Sequence, residues 1–306
     1  MNLQFKPIEA SDVEKITPFY ALRPNKTCDS VYLDCFIWRE YYHVKYAISD
    51  NKALQFLMEK DGQPFTAMPM CREEDLSYYF NEMKEYFNEV LKKPLRISLA
   101  DEAAIEYLKL DPDQFEVKEV EDLKDYLYDA QSLRTLSGKK LHKKKNHLNS
   151  FLKEYEGRYE YRTLCCSDRD SVVEFLNEWW ENKVEAAEFT RQLDYEVMGI
   201  HSILKNCSFL NVRMAGVFID GVLKAFTIGS YNPFEKMAVI HIEKADPNIK
   251  GLYQFINQQF ITHAYPEELI LVNREDDVGM EGLRKAKMSY YPVDFARKYS
   301  VVQKGF

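Results

Sequence analysis

The sequence lacks a long apolar run, a metal-ligand pattern and a low-complexity linker. None of its apolar stretches approaches the ~20 residues that a membrane-spanning helix needs, and its first residues form no signal-peptide core. Its six cysteines form no C-x-x-C pair and no Cys/His spacing typical of zinc. We therefore expect no integral membrane span, no metal site and no certain cofactor. We also expect a cytoplasmic protein whose cysteines stay reduced and act as small apolar residues.

Basic side chains are outnumbered by acidic ones. The 41 lysines and arginines face 49 aspartates and glutamates, a net charge of −8, which argues against a protein that coats nucleic acid non-specifically. With 46% hydrophobic and 29% charged residues, the composition is that of a globular protein rather than a disordered one. At roughly 150 residues per domain, the length predicts one large or two medium domains.

The order of predicted elements occurs twice along the chain. Each copy reads strand, two helices, three strands, helix, strand, helix, strand, and this order is similar to that of the GNAT acyltransferase fold. Asp61-Gly62 and Asp220-Gly221 indicate hairpins, because both residue types tolerate positive φ. We predict an α+β (mixed α/β) protein with two tandem GNAT-like domains. The predicted segments are a non-catalytic N-terminal domain at 1–130, a basic linking helix at 131–156, and a C-terminal domain at 157–306 with the candidate cleft.

Three segments carry a resemblance to a known group of proteins. They are the lysine-rich stretch 136–147, the short acidic-basic stretch 243–246 and the polar stretch 273–287. These segments resemble bacterial proteins of unassigned function related to the C-terminal domain of phosphatidylglycerol lysyltransferase. The resemblance implies a tandem GNAT fold and kinship with transferases that take aminoacyl groups from tRNA, including the Fem-type enzymes. It supplies no acceptor.

Acyl transfer needs a site for the donor's phosphate, and the loop before the predicted helix 252–264 is the candidate. Helix N-termini bind anions through free N–H groups and the helix dipole. Lys250 and Gly251 match the phosphate loop of GNAT enzymes, but Tyr253 stands where that loop has a small residue. This departure disfavours coenzyme A as the donor. In the first copy the equivalent helix follows a run of acidic residues that would repel a phosphate, so we expect the second copy to carry the chemistry.

Proton transfer is the second requirement. Glu243, at the end of the predicted strand 237–243, is the candidate general base, although it could instead pair with Lys244. His241 would alternate to the same face as Glu243 and join the cleft. Tyr290 is the candidate acid for the leaving group, and its neighbour Tyr291 is the alternative.

A polar run follows the predicted strand 269–272, where neighbouring strands of this fold separate and open the cleft. We predict that Asn273, Arg274, Glu275 and Asp276 bind substrate. An arginine can grip a carboxylate or phosphate with two hydrogen bonds, and an acidic group can bind an ammonium.

The lysine-rich stretch offers a second anion-binding surface. If residues 133–155 form one helix, Lys140, Lys144 and His147 fall on its apolar face. Buried lysines are costly unless paired, so either the helix breaks at Ser137-Gly138 or these side chains line a polar cavity. Lys143 faces elsewhere and could meet a phosphate backbone such as that of tRNA.

These observations predict a bacterial acyl- or aminoacyltransferase. The predicted donor is aminoacyl-tRNA, with acyl-CoA second, and the acceptor is an unknown small-molecule or peptide amine or hydroxyl. The alternative is a non-catalytic module that senses a small anionic or zwitterionic metabolite in the inherited cleft.

Overall fold

A computed structural model describes residues 3–181 and 187–306, and all of their side chains except those of 181–192. The α-helices of these ranges are α1 (Val13–Tyr20), α2 (Tyr32–Ile37), α3 (Leu76–Glu85), α4 (Glu102–Leu108), α5 (Ala130–Thr135), α6 (Gly138–Glu154), α7 (Arg169–Glu181), α8 (Ala187–Asn206), α9 (Leu252–His263) and α10 (Glu281–Met288). None of the helices in these ranges is long and apolar enough to cross a membrane.

The strands of the same ranges are short to medium in length. They are β1 (Lys6–Pro7), β2 (Lys45–Ser49), β3 (Ala53–Lys60), β4 (Gln63–Phe65), β5 (Arg96–Asp101), β6 (Phe115–Glu119), β7 (Asp125–Asp129), β8 (Tyr159–Thr163), β9 (Arg213–Ile219), β10 (Val222–Asn232), β11 (Met237–Ala245), β12 (Leu271–Asn273), β13 (Asp294–Ala296) and β14 (Lys298–Gln303).

The chain forms two compact units, and neither is a single continuous segment. Unit 1 comprises residues 1–125, 276–279 and 295–306, and unit 2 comprises 126–275 and 280–294. These limits differ from the predicted ones, because the last strand, β14, belongs to unit 1 rather than to the C-terminal domain predicted at 157–306.

Unit 1 contains two sheets. One has the strand order β1-β2-β3-β4 and the other has the order β5-β14-β6, in which all pairings are antiparallel. The amphipathic helix α3 buries Leu76, Phe80 and Met83 in a cluster that also holds Ile97 of β5 and Val301 of β14. The central strand of the second sheet therefore comes from the far end of the sequence.

A buried lysine links several acidic groups in unit 1. Lys298 is 1% exposed, and its Nζ lies 2.8 Å from Asp125 Oδ1 and 3.3 Å from Asp29 Oδ2. It also donates to Cys28 Sγ at 3.0 Å, and the Cys28 N–H donates to Asp125 Oδ2 at 2.6 Å. Burial alone would lower the pKa of Lys298, but the surrounding acids outweigh burial and hold that pKa well above its usual value.

Unit 2 is built on a sheet whose strands β7, β12, β11, β10, β9 and β8 follow one another in that order. The pairings among them are antiparallel except between β11 and β12, which run parallel. That parallel pairing covers only Met237–Leu271, Ala238–Val272 and Val239–Asn273. Since β11 continues to Ala245 whereas β12 ends at Asn273, the ladder between them stops at Val239. We call this end of the ladder, beside the second half of β11, the opening of the sheet.

Helices α9 and α6 cover one face of this sheet. Helix α9 buries Leu252, Phe255 and Phe260, and the ring of Phe255 lies 4.7 Å from that of Phe151 in α6. The apolar stripe of α9 follows the helical period. Helix α6 is consequently fixed against the start of α9.

The predicted helix 133–155 is two helices. Helix α5 ends at Thr135, Leu136 adopts φ +46°, and α6 begins at Gly138. Left-handed backbone at Leu136 stops the first helix, since this conformation does not continue a right-handed helix. A helix break next to the predicted one at Ser137-Gly138 is therefore observed.

One expectation about the cysteines is wrong. Cys166 and Cys207 form a disulfide with Cα atoms 6.0 Å apart, although they are 41 residues apart in sequence and no motif indicates the pair. Spacing alone does not reveal it, because the two residues meet only through the packing of α7 and α8. The four other cysteines are free.

Candidate functional site

Two side-chain pairs span the opening between β11 and β12. Arg274, the first residue after β12, places Nη2 2.8 Å from Glu243 Oε1 on β11. Glu275, the next residue, places Oε1 2.8 Å from His241 Nδ1 on the same strand. Side-chain contacts, rather than backbone hydrogen bonds, thus connect β11 to the residues that follow β12.

Glu243 is bound through both of its oxygens. In addition to the contact with Arg274, its Oε2 accepts a hydrogen bond of 2.7 Å from Asn257 Nδ2 of α9. Asn257 is 1% exposed, and its Oδ1 has no hydrogen-bond partner in the described part of the chain. The sequence analysis missed Asn257, although a lone amide on the apolar face of a helix was a usable signal.

Arg274 is held between a carboxylate and an aromatic ring. Its backbone N–H donates to Tyr126 O at 3.1 Å, and its guanidinium lies 4.9 Å from the ring centre of Tyr290. Burial alone would lower the pKa of Arg274, but the Glu243 carboxylate and the hydroxyls of Tyr128 and Tyr290 together outweigh burial and keep that pKa above its usual value. Nη1 is buried and makes no hydrogen bond within residues 3–181 and 187–306. Arg274 therefore has donor capacity left for a ligand.

Lys144 adds a second cation to this cluster. Its Nζ lies 4.1 Å from the ring centre of Tyr290, and no acidic partner is present in the described ranges. Burial lowers the pKa of Lys144 to about 8, helped by Arg274 and Lys143. Burial also raises the pKa of Tyr290, so its hydroxyl stays protonated at neutral pH. One carboxylate faces two cations here, so the cluster carries a net positive charge when Lys144 is protonated.

The tyrosine beside Tyr290 has a different environment. Tyr291 is about half exposed, and Lys140, one turn before Lys144 on α6, lies 5.5 Å from its ring centre. Tyr290 is buried and lies beside Arg274. The geometry thus favours Tyr290 over Tyr291 as the tyrosine of the cleft.

His241 belongs to a second set of contacts. Besides Glu275, it meets Ser230 of β10, whose Oγ is 2.7 Å from His241 Nε2. The sheet register skips His241, because Ile228 pairs with Ile242 and Gly229 pairs with Ile240. This bulge breaks the alternation along β11, so the expectation that His241 lies on the Glu243 face does not hold.

The remaining predicted residues are spread between the two units. Asn273 is buried, and its Oδ1 accepts from the Glu275 N–H at 2.7 Å, which supports the left-handed conformation of Glu275 at φ +58°. Asp276 belongs to unit 1, where its carboxylate lies 3.9 Å from Lys298. Lys143 and Lys250 are exposed, and both lower the pKa of His147 after the larger effect of burial.

Gly251 has a packing role. It caps α9 with φ +86°, and a Cβ built there would lie 2.1 Å from His147 O and 3.0 Å from Phe151 Cβ. The backbone of α6 therefore lies directly against the start of α9. Phosphate loops need a glycine so that a ligand can approach the backbone closely, whereas here another helix occupies that approach.

Replacing Gly251 by alanine is expected to lower the free energy of unfolding by about 2–4 kcal/mol, because the change adds both positive-φ strain and a backbone clash. Gly157→Ala is the matched control, since Gly157 also has positive φ but nothing within 4 Å of its Cβ position. Urea denaturation should show a loss of only about 1 kcal/mol for this control. Equal losses for the two variants would contradict the close packing of α6 and α9.

Comparison with known proteins identifies relatives along the whole chain. A protein of unknown function from Bacteroides thetaiotaomicron is 30% identical, covers 99% of this chain and 100% of its own, and superposes with a TM-score of 0.89. L-PGS from Bacillus licheniformis is 14% identical, with coverage of 100% and 95% and a TM-score of 0.72. An uncharacterised protein of Mycoplasmoides gallisepticum is 25% identical over 177 residues, 58% of this chain and 55% of that protein. The chain thus matches only about half the length of this last relative.

Two further structures share the fold at low identity. FemX superposes with a TM-score of 0.63 at 9% identity and covers 98% of its own chain and 99% of this one. A tandem GNAT protein from the clavulanic acid biosynthesis pathway reaches 0.50 at 12%, with coverage of 99% and 100%. These likenesses confirm the predicted mixed α+β, tandem GNAT-like fold.

The family described as "Phosphatidylglycerol lysyltransferase, C-terminal" matches residues 21–302, a range that includes all of unit 2, most of unit 1 and the whole Glu243–Arg274 cluster. This match confirms the resemblance found in the sequence. The chain belongs to the family of the phosphatidylglycerol lysyltransferase C-terminal domain.

Proposed function

We propose that this protein is a cytoplasmic aminoacyltransferase that uses aminoacyl-tRNA as donor and an amine or hydroxyl as acceptor. The observation that carries the proposal is the positively charged cluster in which Arg274 and Lys144 both lie against the Tyr290 ring beside the opening of the sheet. Such a cluster suits an anionic donor and the negative charge that develops on an ester carbonyl during attack. Membership of the lysyltransferase family and the shared fold of FemX support this class of reaction.

The packing of α6 against the start of α9 supports aminoacyl-tRNA rather than an acyl-coenzyme A as the donor. In acyl-CoA enzymes of this fold we expected the donor phosphates at Lys250 and Gly251, but α6 packs onto Gly251. Lys140 and Lys143, on the exposed side of α6, offer a separate surface for a phosphate backbone.

Each residue of the cluster has its own role in the proposed transfer. Arg274, through its unpaired Nη1, and Lys144 bind the donor's anionic group. Tyr290 donates a hydrogen bond to the oxygen that leaves. Both oxygens of Glu243 are already engaged, which favours a role in holding Arg274 over the role of general base. His241, Asn273 and Glu275 remain proposed parts of the substrate-binding side.

The direct test uses single-amino-acid pools of radiolabelled aminoacyl-tRNA with a bacterial small-molecule and lipid extract as acceptor. We expect the protein to move label from one pool into the extract and to leave labelled acetyl-CoA unchanged. Binding of tRNA or of a small anion with no transfer from any pool would favour the alternative, a non-catalytic sensing module. Two cationic groups at one site, Lys144 and Arg274 with its unpaired Nη1, are compatible with that alternative too.

Lys144 gives the cluster a predicted pH dependence. Because its pKa is about 8, its charge is present below that pH and lost above it. Affinity for tRNA at constant ionic strength should therefore fall as pH rises from 7 to 9.5, and Lys144→Met should weaken binding at pH 7 about tenfold. Lys144→Arg, which stays charged, should bind with little change across this range. A wild-type affinity that is flat with pH would place the donor's anion elsewhere.

A further inference from the structure

Ser230, His241 and Glu275 form a continuous hydrogen-bonded line that the proposed donor site does not use. Ser230 Oγ lies 2.7 Å from His241 Nε2, and His241 Nδ1 lies 2.8 Å from Glu275 Oε1. A carboxylate only accepts hydrogen bonds, so Nδ1 carries the proton and Nε2 is left to accept from the serine. This is the arrangement of a nucleophile, a base and a carboxylate that orients the base.

The position of this line is set by the bulge in β11. Side chains alternate along β10, so Ser230 shares the face of Phe226, whose ring lies 5.7 Å from Phe175 of α7. Thr227, which pairs with Glu243, shares the opposite face, on which Glu243 meets α9. The line therefore lies on the α7 face of the sheet, beside the same opening between β11 and β12 that Arg274 borders from the α9 face.

Backbone strain marks the same place. Glu275 adopts φ +58° and is held there by the hydrogen bond from its N–H to Asn273 Oδ1. A non-glycine residue in this region costs of order 1 kcal/mol, and such strain is typical of functional sites. In this conformation the Glu275 carboxylate lies 2.8 Å from His241 Nδ1. Ser230 and His241 are both more than nine-tenths buried, which keeps this line out of bulk water.

We propose that Ser230 is a catalytic nucleophile that carries the acyl group between donor and acceptor; this inference rests on the proposed acyl transfer. Ser230 Oγ attacks the ester carbonyl carbon, and His241 Nε2 takes the hydroxyl proton. The bond from the carbonyl carbon to the ribose oxygen breaks, and His241 returns the proton to that oxygen. The acceptor then attacks the acyl-serine, its proton passes through His241 to Ser230 Oγ, and the serine is regenerated. No oxidant or further reactant is needed.

The test begins with a probe that needs neither donor nor acceptor. The full-length protein is treated with a fluorophosphonate, and the labelled peptide is identified by mass spectrometry. We expect label on Ser230, none at this position in Ser230→Ala, and labelling slowed about a hundredfold or more in His241→Gln. Glu275→Gln should slow it less. Ser289→Ala, which removes an exposed hydroxyl that donates to the Ala286 carbonyl, is the matched control and should label like the wild type.

A second measurement covers the case of a variant that fails to fold. The thiol introduced by Ser230→Cys should be alkylated by iodoacetamide at pH 7, and more slowly when His241→Gln is added. Absence of fluorophosphonate label on Ser230 in the folded wild-type protein would overturn the inference. Unchanged aminoacyl transfer by folded Ser230→Ala would overturn it too, while leaving the proposed function standing. Label on Ser230 that depends on His241, without any aminoacyl transfer, would uphold the nucleophile and reject the aminoacyl-tRNA donor.

Discussion

Arg274→Gln is expected to abolish transfer, with a fall of about a thousandfold in rate, and to destabilise unit 2 by about 3–5 kcal/mol. The rate falls because the variant removes the buried cation that faces the donor. The fold weakens because Glu243 is left as an uncompensated, largely buried carboxylate. Rates measured per folded molecule, together with urea denaturation, separate the two effects.

Two further variants sharpen this prediction. Glu243→Gln combined with Arg274→Gln should recover most of the stability but none of the activity, because both charges are then absent. Arg158→Gln is the matched control, since Arg158 forms an exposed ion pair with Asp220 that we expect to contribute less than about 1 kcal/mol. Full transfer by folded Arg274→Gln would remove Arg274 from the proposed mechanism.

Lys298→Met is expected to lower the stability of unit 1 by about 3–5 kcal/mol. The change leaves Asp125 as an uncompensated buried charge, because this fully buried carboxylate forms its ion pair with Lys298. Hydrogen–deuterium exchange should show the loss in β5, β6 and β14, because these strands form one sheet.

The double variant Lys298→Met, Asp125→Asn should recover much of this loss, since it removes the stranded charge. Lys304→Met, just beyond β14, is the control and should change stability by less than about 1 kcal/mol, because the Lys304 side chain is exposed and its Nζ donates to Pro112 O. If Lys298→Met were as stable as the wild type, the buried ion cluster would be of no energetic importance.

Local patterns in the sequence were sufficient for much of the cleft. The predicted strand 237–243 corresponds to β11, and the predicted helix 252–264 corresponds to α9. A polar run after a short apolar strand indicated Arg274, and the structure brings Arg274 to Glu243. Periodicity and capping depend on neighbouring residues, so a single sequence reports them well.

Other features depend on partners that are distant in sequence. Ser230 was missed and His241 was assigned to the wrong face, because a bulge in β11 interrupts a strict alternation. Asp276 looked like part of the polar run but faces Lys298 in unit 1. The pairing of β14 with β5 and β6 joins residues about 200 positions apart, which no local pattern reports.

The place of β14 in unit 1 has a consequence for biosynthesis. A ribosome makes a protein from its N-terminal end, so β5 and β6 emerge long before the strand that lies between them. Until residues 298–303 leave the exit tunnel, both strands present unpaired edges, which invite association with other nascent chains. Unit 1 is therefore completed only after translation has passed unit 2, and truncation before residue 298 should yield a product that is captured by chaperones or aggregates.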